Sequence, residues 1–278
     1  MGKSKKETGL YSIGEVSKIC NVSKKALRFY DKIGIISPDK VTSNHYRYYS
    51  RKSLLKLTIL KYYKQMGFKL EEMRELITSE EYRTLERGFL VKIDELLEEQ
   101  QAVDVKLTSV RDWYHLLLEA QNIIENDVRD VSVKYMDRTE FGFMDQEYNS
   151  DYMEAIINLD WTNHLIEINN EITGPVLIQY PSYKERMEGK CKTMRVLQRM
   201  IMPCKPEHVI ELGGTTMLSC YHIGAHEKLG ETYKKMIKWA GTHNYKLGES
   251  VIERYVTDYW TTENPDMFVT EILIEACR

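Results

Sequence analysis

"YSIGEVSKICNVSKKALRFYDKIGII", Tyr11 to Ile36, decides how the front of this chain folds. Ser12 followed three residues later by Glu15 is a capping box, in which each side chain accepts from the other's backbone N–H and a helix starts. Ile13, Val16 and Ile19 then share one side of that helix. "CNVS" reads as a tight turn. Ser23 caps a second helix, Lys24 to Ile33, and Gly34 ends it in the left-handed conformation. Ala26, Leu27 and Tyr30 share one face of this second helix, while Lys24, Lys25, Arg28 and Lys32 lie mostly on the others. A short helix, a brief turn and a cationic second helix make a helix-turn-helix, whose second helix enters the major groove of a duplex.

The surroundings agree. In "TSNHYRYYS", Thr42 to Ser50, Ser43 and Asn44 form a hairpin turn, and Tyr46, Arg47 and Tyr48 alternate across a small ribbon. A ribbon after a helix-turn-helix is a wing that grips phosphate or the minor groove. Two further helices follow, about Arg51 to Met66 and Leu70 to Thr78, the first studded with Lys52, Lys56, Lys61 and Lys64. Residues 1–70 carry a formal charge of +12 and the remainder −15, which the total of −3 conceals. A basic head on an acidic body points to a head that meets a polyanion. Ser12, Ser23, Lys24, Lys25, Arg28, Tyr30, Tyr46, Arg47, Tyr48, Lys61 and Lys64 are the candidate DNA-contacting residues.

From Phe89 to Asn126 the chain has neither Pro nor Gly. Phe89, Ile93, Leu96, Gln100, Val103, Leu107, Val110, Tyr114 and Leu117 recur in steps of 4 and 3, a heptad seam that needs a partner helix. A second copy of the chain is the expected partner; a helix hairpin within one chain is the alternative. After Val128 the texture changes. "VSVKYMD", "GPVLIQY", "TTMLSCY", "SVIERYV" and "FVTEILI" read as strands, and helical patterns run about Ser150 to Ile172 and Ala225 to His243. An antiparallel sheet with helices on one face is expected.

Several classes are excluded or disfavoured. No apolar run approaches the length of a membrane helix, and the basic opening has no apolar stretch behind it, so neither a membrane partner nor secretion is expected. Cys20, Cys191, Cys204, Cys220 and Cys277 form no CxxC pair and are expected to be reduced thiols in a cytoplasm. His222 and His226 are four apart with Gly224 between them, and neither a metal site nor any cofactor is expected.

"YSIGEVSKICNVSKKALRFYDKIGII", "HYRYYS" and "LKYYKQMGFKLEEMREL" together resemble the MerR family of transcriptional regulators, although Lys69 stands where a capping Ser or Thr is common. The resemblance implies an antiparallel dimer sitting on promoter DNA whose two recognition elements are spaced too far apart. It also implies bending and untwisting of that DNA so that RNA polymerase engages both elements. The body, through "ELGGTTMLSCYHIGAHEKLGETYKKMIKWAGTHNY", "SVIERYV" and "FVTEILIEA", is similar to GyrI-like effector-binding domains, with Thr215 and Glu275 where that family often has an aromatic residue and a proline. The fold class is then α+β. A winged helix-turn-helix spans 1–80, a coiled-coil dimerisation helix 81–127 and an antiparallel-sheet effector domain 128–278.

Such domains resemble one another in setting an acidic residue in an aromatic cup, and Glu253 stands at the matching position. On the strand reading, Val251, Glu253 and Tyr255 face one way. A carboxylate on an apolar strand face is costly unless it meets a cation. Tyr180, Tyr221, Tyr255, Trp161 and Trp239 are candidate aromatic walls, with Glu271 a second acidic candidate. A surface pairing of Glu253 with Arg254 or a lysine is the competing reading. The implied effector is a small lipophilic compound, cationic by the aromatic and acidic character of the cup. The function expected is a dimeric, ligand-responsive transcription activator. A GyrI-like hydrolase or a drug-sequestering protein using the same pocket stays open as the alternative; no nucleophile–base pair is visible and no catalytic residue is assigned.

Overall fold

The computed structural model describes residues 9–278; the basic opening, residues 1–8, lies outside the described residues. The chain divides into two compact units, one ending at Gln100 and the other beginning at Gln101.

The first unit begins with β1 (Leu10–Ser12), α1 (Ile13–Ile19) and α2 (Lys24–Lys32). Ser12 caps α1: its N–H donates to Glu15 Oε2 at 2.9 Å, and Glu15 N–H donates back to Ser12 Oγ at 3.4 Å. Ser23 caps α2 through Ala26 N–H at 3.1 Å, and Gly34 follows at φ +72°. β2 (Lys40–Val41) and β3 (Arg47–Ser50) form the hairpin, and β1 adds to the other edge of β3, giving the antiparallel order β1-β3-β2. The strand at Leu10–Ser12 is absent from the sequence expectation because its last residue doubles as the cap of α1. α3 (Arg51–Gln65) and α4 (Leu70–Thr78) complete the head. Val16, Leu27, Ile35, Tyr49, Leu57 and Met73 are among the residues that close its core.

α5 runs from Tyr82 to Glu125, with Gly88 inside it, ahead of the Pro- and Gly-free stretch that carries the seam. A Cβ at Gly88 would come within 2.8 Å of Leu76 Cδ2, so the glycine lets α4 pack closely against α5. Phe89 is absorbed into the head core, its ring 5.2 Å from Phe68. The rest of the apolar seam, Ile93, Leu96, Val103, Leu107, Val110, Tyr114 and Leu117, is 40 to 65% exposed. No segment of the same chain covers it among the described residues.

The second unit is an eight-stranded antiparallel sheet in the order β4-β9-β11-β10-β6-β7-β5-β8. Its strands are β4 (Ser132–Met136), β5 (Thr139–Glu147), β6 (Val176–Tyr180), β7 (Thr193–Gln198), β8 (Val209–Leu212), β9 (Thr215–Ile223), β10 (Lys246–Thr257) and β11 (Val269–Cys277). The helix expected over Ser150–Ile172 is broken into α6 (Tyr152–Ile156) and α7 (Leu159–Glu167), because Asn158 caps the second piece through Trp161 N–H at 2.8 Å. α8 (Tyr183–Met187) and α9 (Leu229–Thr242) follow on the same face, over a core that includes Trp161, Ile178, Tyr233, Val251 and Ile272. The other face is not free of helix, as the sequence suggested. Leu116, Ala120 and Ile123 of α5 pack there against Val256 and Val269. Among the described residues no helix is long and apolar enough to cross a membrane.

Candidate functional site

In the head, Lys24, Lys25 and Arg28 stand exposed on α2, opposite the buried Leu27. Ser12 and Ser23 spend their hydroxyls on helix caps. Tyr30 is half-buried against the head core. In the wing, His45 N–H donates to Thr42 O at 2.9 Å, closing the turn around Ser43 and Asn44. Tyr46 follows that turn, just ahead of the strand, and is exposed. Arg47 is tied to α2 by a 2.9 Å ion pair with Asp31, which fixes the wing beside the cationic helix. Tyr48 is half-buried, while Lys61 and Lys64 are exposed on α3.

In the second unit, strand alternation along β10 sends Val251, Glu253 and Tyr255 to the face covered by α8 and α9. Glu253 is 0% exposed, beneath four donors. Arg186 of α8 donates from Nε to Oε1 and from Nη2 to Oε2, both at 2.9 Å. Tyr233 of α9 and Tyr255 donate their hydroxyls, one to each oxygen, both at 2.6 Å. The guanidinium lies 4.3 Å from the Tyr180 ring centre, 4.7 Å from Tyr152 and 5.2 Å from Tyr148. Its remaining nitrogen, Nη1, donates to Tyr148 Oη at 2.9 Å. A bidentate fork on a carboxylate, set among ring faces, satisfies both charges in a site that excludes water.

Burial by itself raises the Glu253 carboxyl, but the Arg186 charge and the bonds from Arg186, Tyr233 and Tyr255 outweigh it and hold the group below its ordinary value. Burial pulls the Arg186 guanidinium down, and Glu253 more than restores it. The phenols of Tyr180, Tyr233 and Tyr255 are pushed well up by burial and by the Glu253 charge. Beside the cage His226, 0% exposed, stacks on Phe268 at 4.9 Å and on Tyr152 at 5.8 Å. Burial drives its pKa down to about 4, and its Nε2 has no partner. Tyr148 also lines an open cleft of about 720 Å³ whose border carries Glu147, Asp151, Glu154 and Asp160. The cleft therefore leads from an acidic surface to the wall of the cage.

Of the expected ligand residues, Glu253, Tyr180 and Tyr255 come together. Trp161 shares their sheet face, but its indole donates to Gln198 at 3.4 Å beneath α7. Trp239 stacks on His243 at 3.9 Å on α9. Tyr221 and Glu271 face the opposite way, since Glu271 pairs in register with Tyr221 and Arg254 while Glu253 pairs with Ile272. There Glu119 of α5 takes both Arg254 terminal nitrogens, at 2.7 and 2.6 Å, and the Tyr221 hydroxyl at 3.0 Å. Glu271 meets Arg254 at 3.1 Å and is bonded by Lys134 and Ser219. The surface pairing considered for Glu253 does not form: its partner is Arg186, and Arg254 serves the other face. Sequence reading missed Arg186, Tyr148, Tyr152, Tyr233 and His226. Ser182 followed by Glu185 is the capping signal that could have exposed α8, and Leu229, Tyr233, Met236 and Ala240 form a helical stripe. Among the described residues no group of three or more His, Cys, Asp or Glu is placed to hold a metal ion.

Comparison with known proteins matches residues 11–80 to the family described as MerR HTH family regulatory protein, and residues 130–276 to the GyrI-like small molecule binding domain. The Multidrug-efflux transporter 2 regulator of Bacillus subtilis (strain 168) is 22% identical over 283 residues, covering 95% of this chain and 96% of that protein. The HTH-type transcriptional regulator CueR of Escherichia coli O6:H1 is 33% identical over 109 residues, covering 36% of this chain and 79% of that one. Among solved structures, EcmrR in its DNA complex aligns at 21% identity and a TM-score of 0.44, over 96% of this chain and 99% of that one.

Proposed function

Since this chain belongs to the MerR HTH family regulatory proteins and carries a GyrI-like small molecule binding domain, we propose that it is a dimeric, cytoplasmic transcription regulator switched by a small lipophilic compound. Two heads, each offering Lys24, Lys25, Arg28 and the Arg47 wing, grip promoter DNA. They distort it so that RNA polymerase engages elements that are otherwise misaligned. Such distortion costs on the order of 1–10 kcal/mol, which a wide double footprint of phosphate contacts offsets. The exposed seam of α5 supports dimerisation, because an apolar stripe of that period stays in water unless a second helix covers it.

The observation that carries the reading lies on β10. Glu253 builds the cage on one face of the sheet, and the next residue, Arg254, grips α5 through Glu119 on the other. A ligand that shifts the cage acts on the strand that holds the long helix. Hydrolysis is a weaker reading: Glu253 sits under four donors with a lowered pKa, which makes it a poor general base near neutral pH. The test is transcription in vitro from a promoter selected out of genomic DNA by the purified protein, with and without the best hit of a thermal-shift screen of lipophilic compounds. Transcript should rise with ligand. Failure to enrich any promoter, or a transcript level indifferent to every stabilising compound, would overturn the proposal.

A further inference from the structure

In a cup built to await an external cation, the anchoring carboxylate would end at open space. Here it ends at Arg186. The guanidinium has everything that a bound cationic ligand would need: both oxygens of a fully buried carboxylate, three phenol rings within 4.3 to 5.2 Å, and a hydroxyl on its last nitrogen. We propose that Arg186 is the resident occupant of the Glu253 cage, an internal cation standing where a ligand's cationic group would sit. A monocationic ligand then reaches Glu253 by exchange with Arg186. The proposal rests on the reading of this domain as a small-molecule sensor.

Charge accounting supports exchange over addition. With Arg186 in place the cage is neutral, so a second cation entering it would face an unscreened like charge and no free carboxylate oxygen. Exchange keeps one cation on Glu253 throughout. The cleft beside Tyr148 supplies a destination, since Glu147, Asp151, Glu154 and Asp160 on its border favour positive charge, whether arriving or displaced. α8 is short, five residues, and Gly189 at φ +66° follows it, so little helix is disturbed when its Arg swings outward. A neutral ligand has no means of displacing Arg186, and its affinity is set by the cleft and the rings alone.

The test measures binding of tetraphenylphosphonium, a lipophilic monocation, and neutral triphenylphosphine oxide to the full chain as wild type and as Arg186→Ala. The phosphonium should bind the variant at least tenfold tighter than wild type, and the oxide should change less than about threefold. N-ethylguanidinium, which can refill the vacated cage, should raise the melting temperature of Arg186→Ala saturably and leave wild type unmoved. Equal phosphonium affinity for the two proteins overturns the exchange while leaving the sensor reading intact. Rescue by ethylguanidinium without uptake of either phenyl compound by any form also overturns the exchange, leaving Arg186 a structural ion pair. Should Arg186→Ala fail to fold, the double variant Arg186→Met with Glu253→Gln removes both charges. It should hold the oxide as wild type does and show no preference for the phosphonium; a retained preference overturns the proposal.

Discussion

Asp258 and Glu253 are both carboxylates buried to within 2% of full enclosure, and they titrate in opposite directions. Glu253 has a guanidinium on both oxygens. Asp258 has a single bond, from Trp260 N–H at 3.0 Å, and burial pushes its pKa from 3.8 up to about 6. The unfolded chain therefore ionises this group first, so stability present below pH 3.8 is lost as pH rises through 6. Asp258→Asn keeps the acceptor for Trp260 and removes the charge. It should stabilise the protein by about 2–3 kcal/mol at pH 7, with the gain vanishing near pH 4, as read by urea unfolding across pH. His226 has the opposite sign. With a folded pKa of about 4 against 6.5, it contributes stability above pH 6.5 that is lost as pH falls through 4. His226→Phe preserves the stack on Phe268 and should flatten that acid limb. Glu253 was legible in the sequence through the resemblance to GyrI-like domains, where it stands at the matching position, and its alternation with Val251 and Tyr255 agreed with that. Arg186 was not, because it lies 67 residues away and reaches the strand only through the fold.

Among the elements, α5 was the most legible, since a seam of period 3.5 announces itself over many turns. Gly88 lies inside it, a residue that breaks helical patterns in sequence but here makes room for Leu76. β5 escaped for a related reason. Gly142 interrupts it, and a Cβ there would meet Met200 Cε at 2.1 Å. The parity that separates Glu271 from Glu253 depends on strand register, which no single strand displays. A second stripe, Leu55, Ile59 and Tyr62 on α3 with Met66 at its C-terminal cap, is exposed at steps of 4, 3 and 4. Val103 and Val110 lie at the middle of the α5 seam, 60% and 65% exposed in one chain. Changing both to Asp should weaken dimerisation at least a hundredfold, about 3 kcal/mol, because burying each valine contributes roughly 1.5–3 kcal/mol. Sedimentation should then give a monomer; an unchanged dimer would place the interface elsewhere.

Over the whole molecule, charge is distributed unevenly, +12 on residues 1–70 and −15 on the rest. That distribution keeps the acidic remainder from competing for DNA and concentrates attraction on the first 70 residues. Arg28→Ala should lower affinity for duplex DNA and reduce the slope of log K against log salt by about 1 per head, measured by fluorescence anisotropy on a mixed-sequence duplex. An unchanged slope would remove Arg28 from the interface. Adjacency on β10 carries a consequence for how such a protein can change. Residues 253 and 254 are the two arms of a see-saw pivoting on one peptide. On the proposed sensor reading, a substitution that retunes which compounds are accepted on one side is expected to tilt the grip on the other. Chemical taste and regulatory output should therefore drift together in descendants of this chain, with few routes that alter either alone.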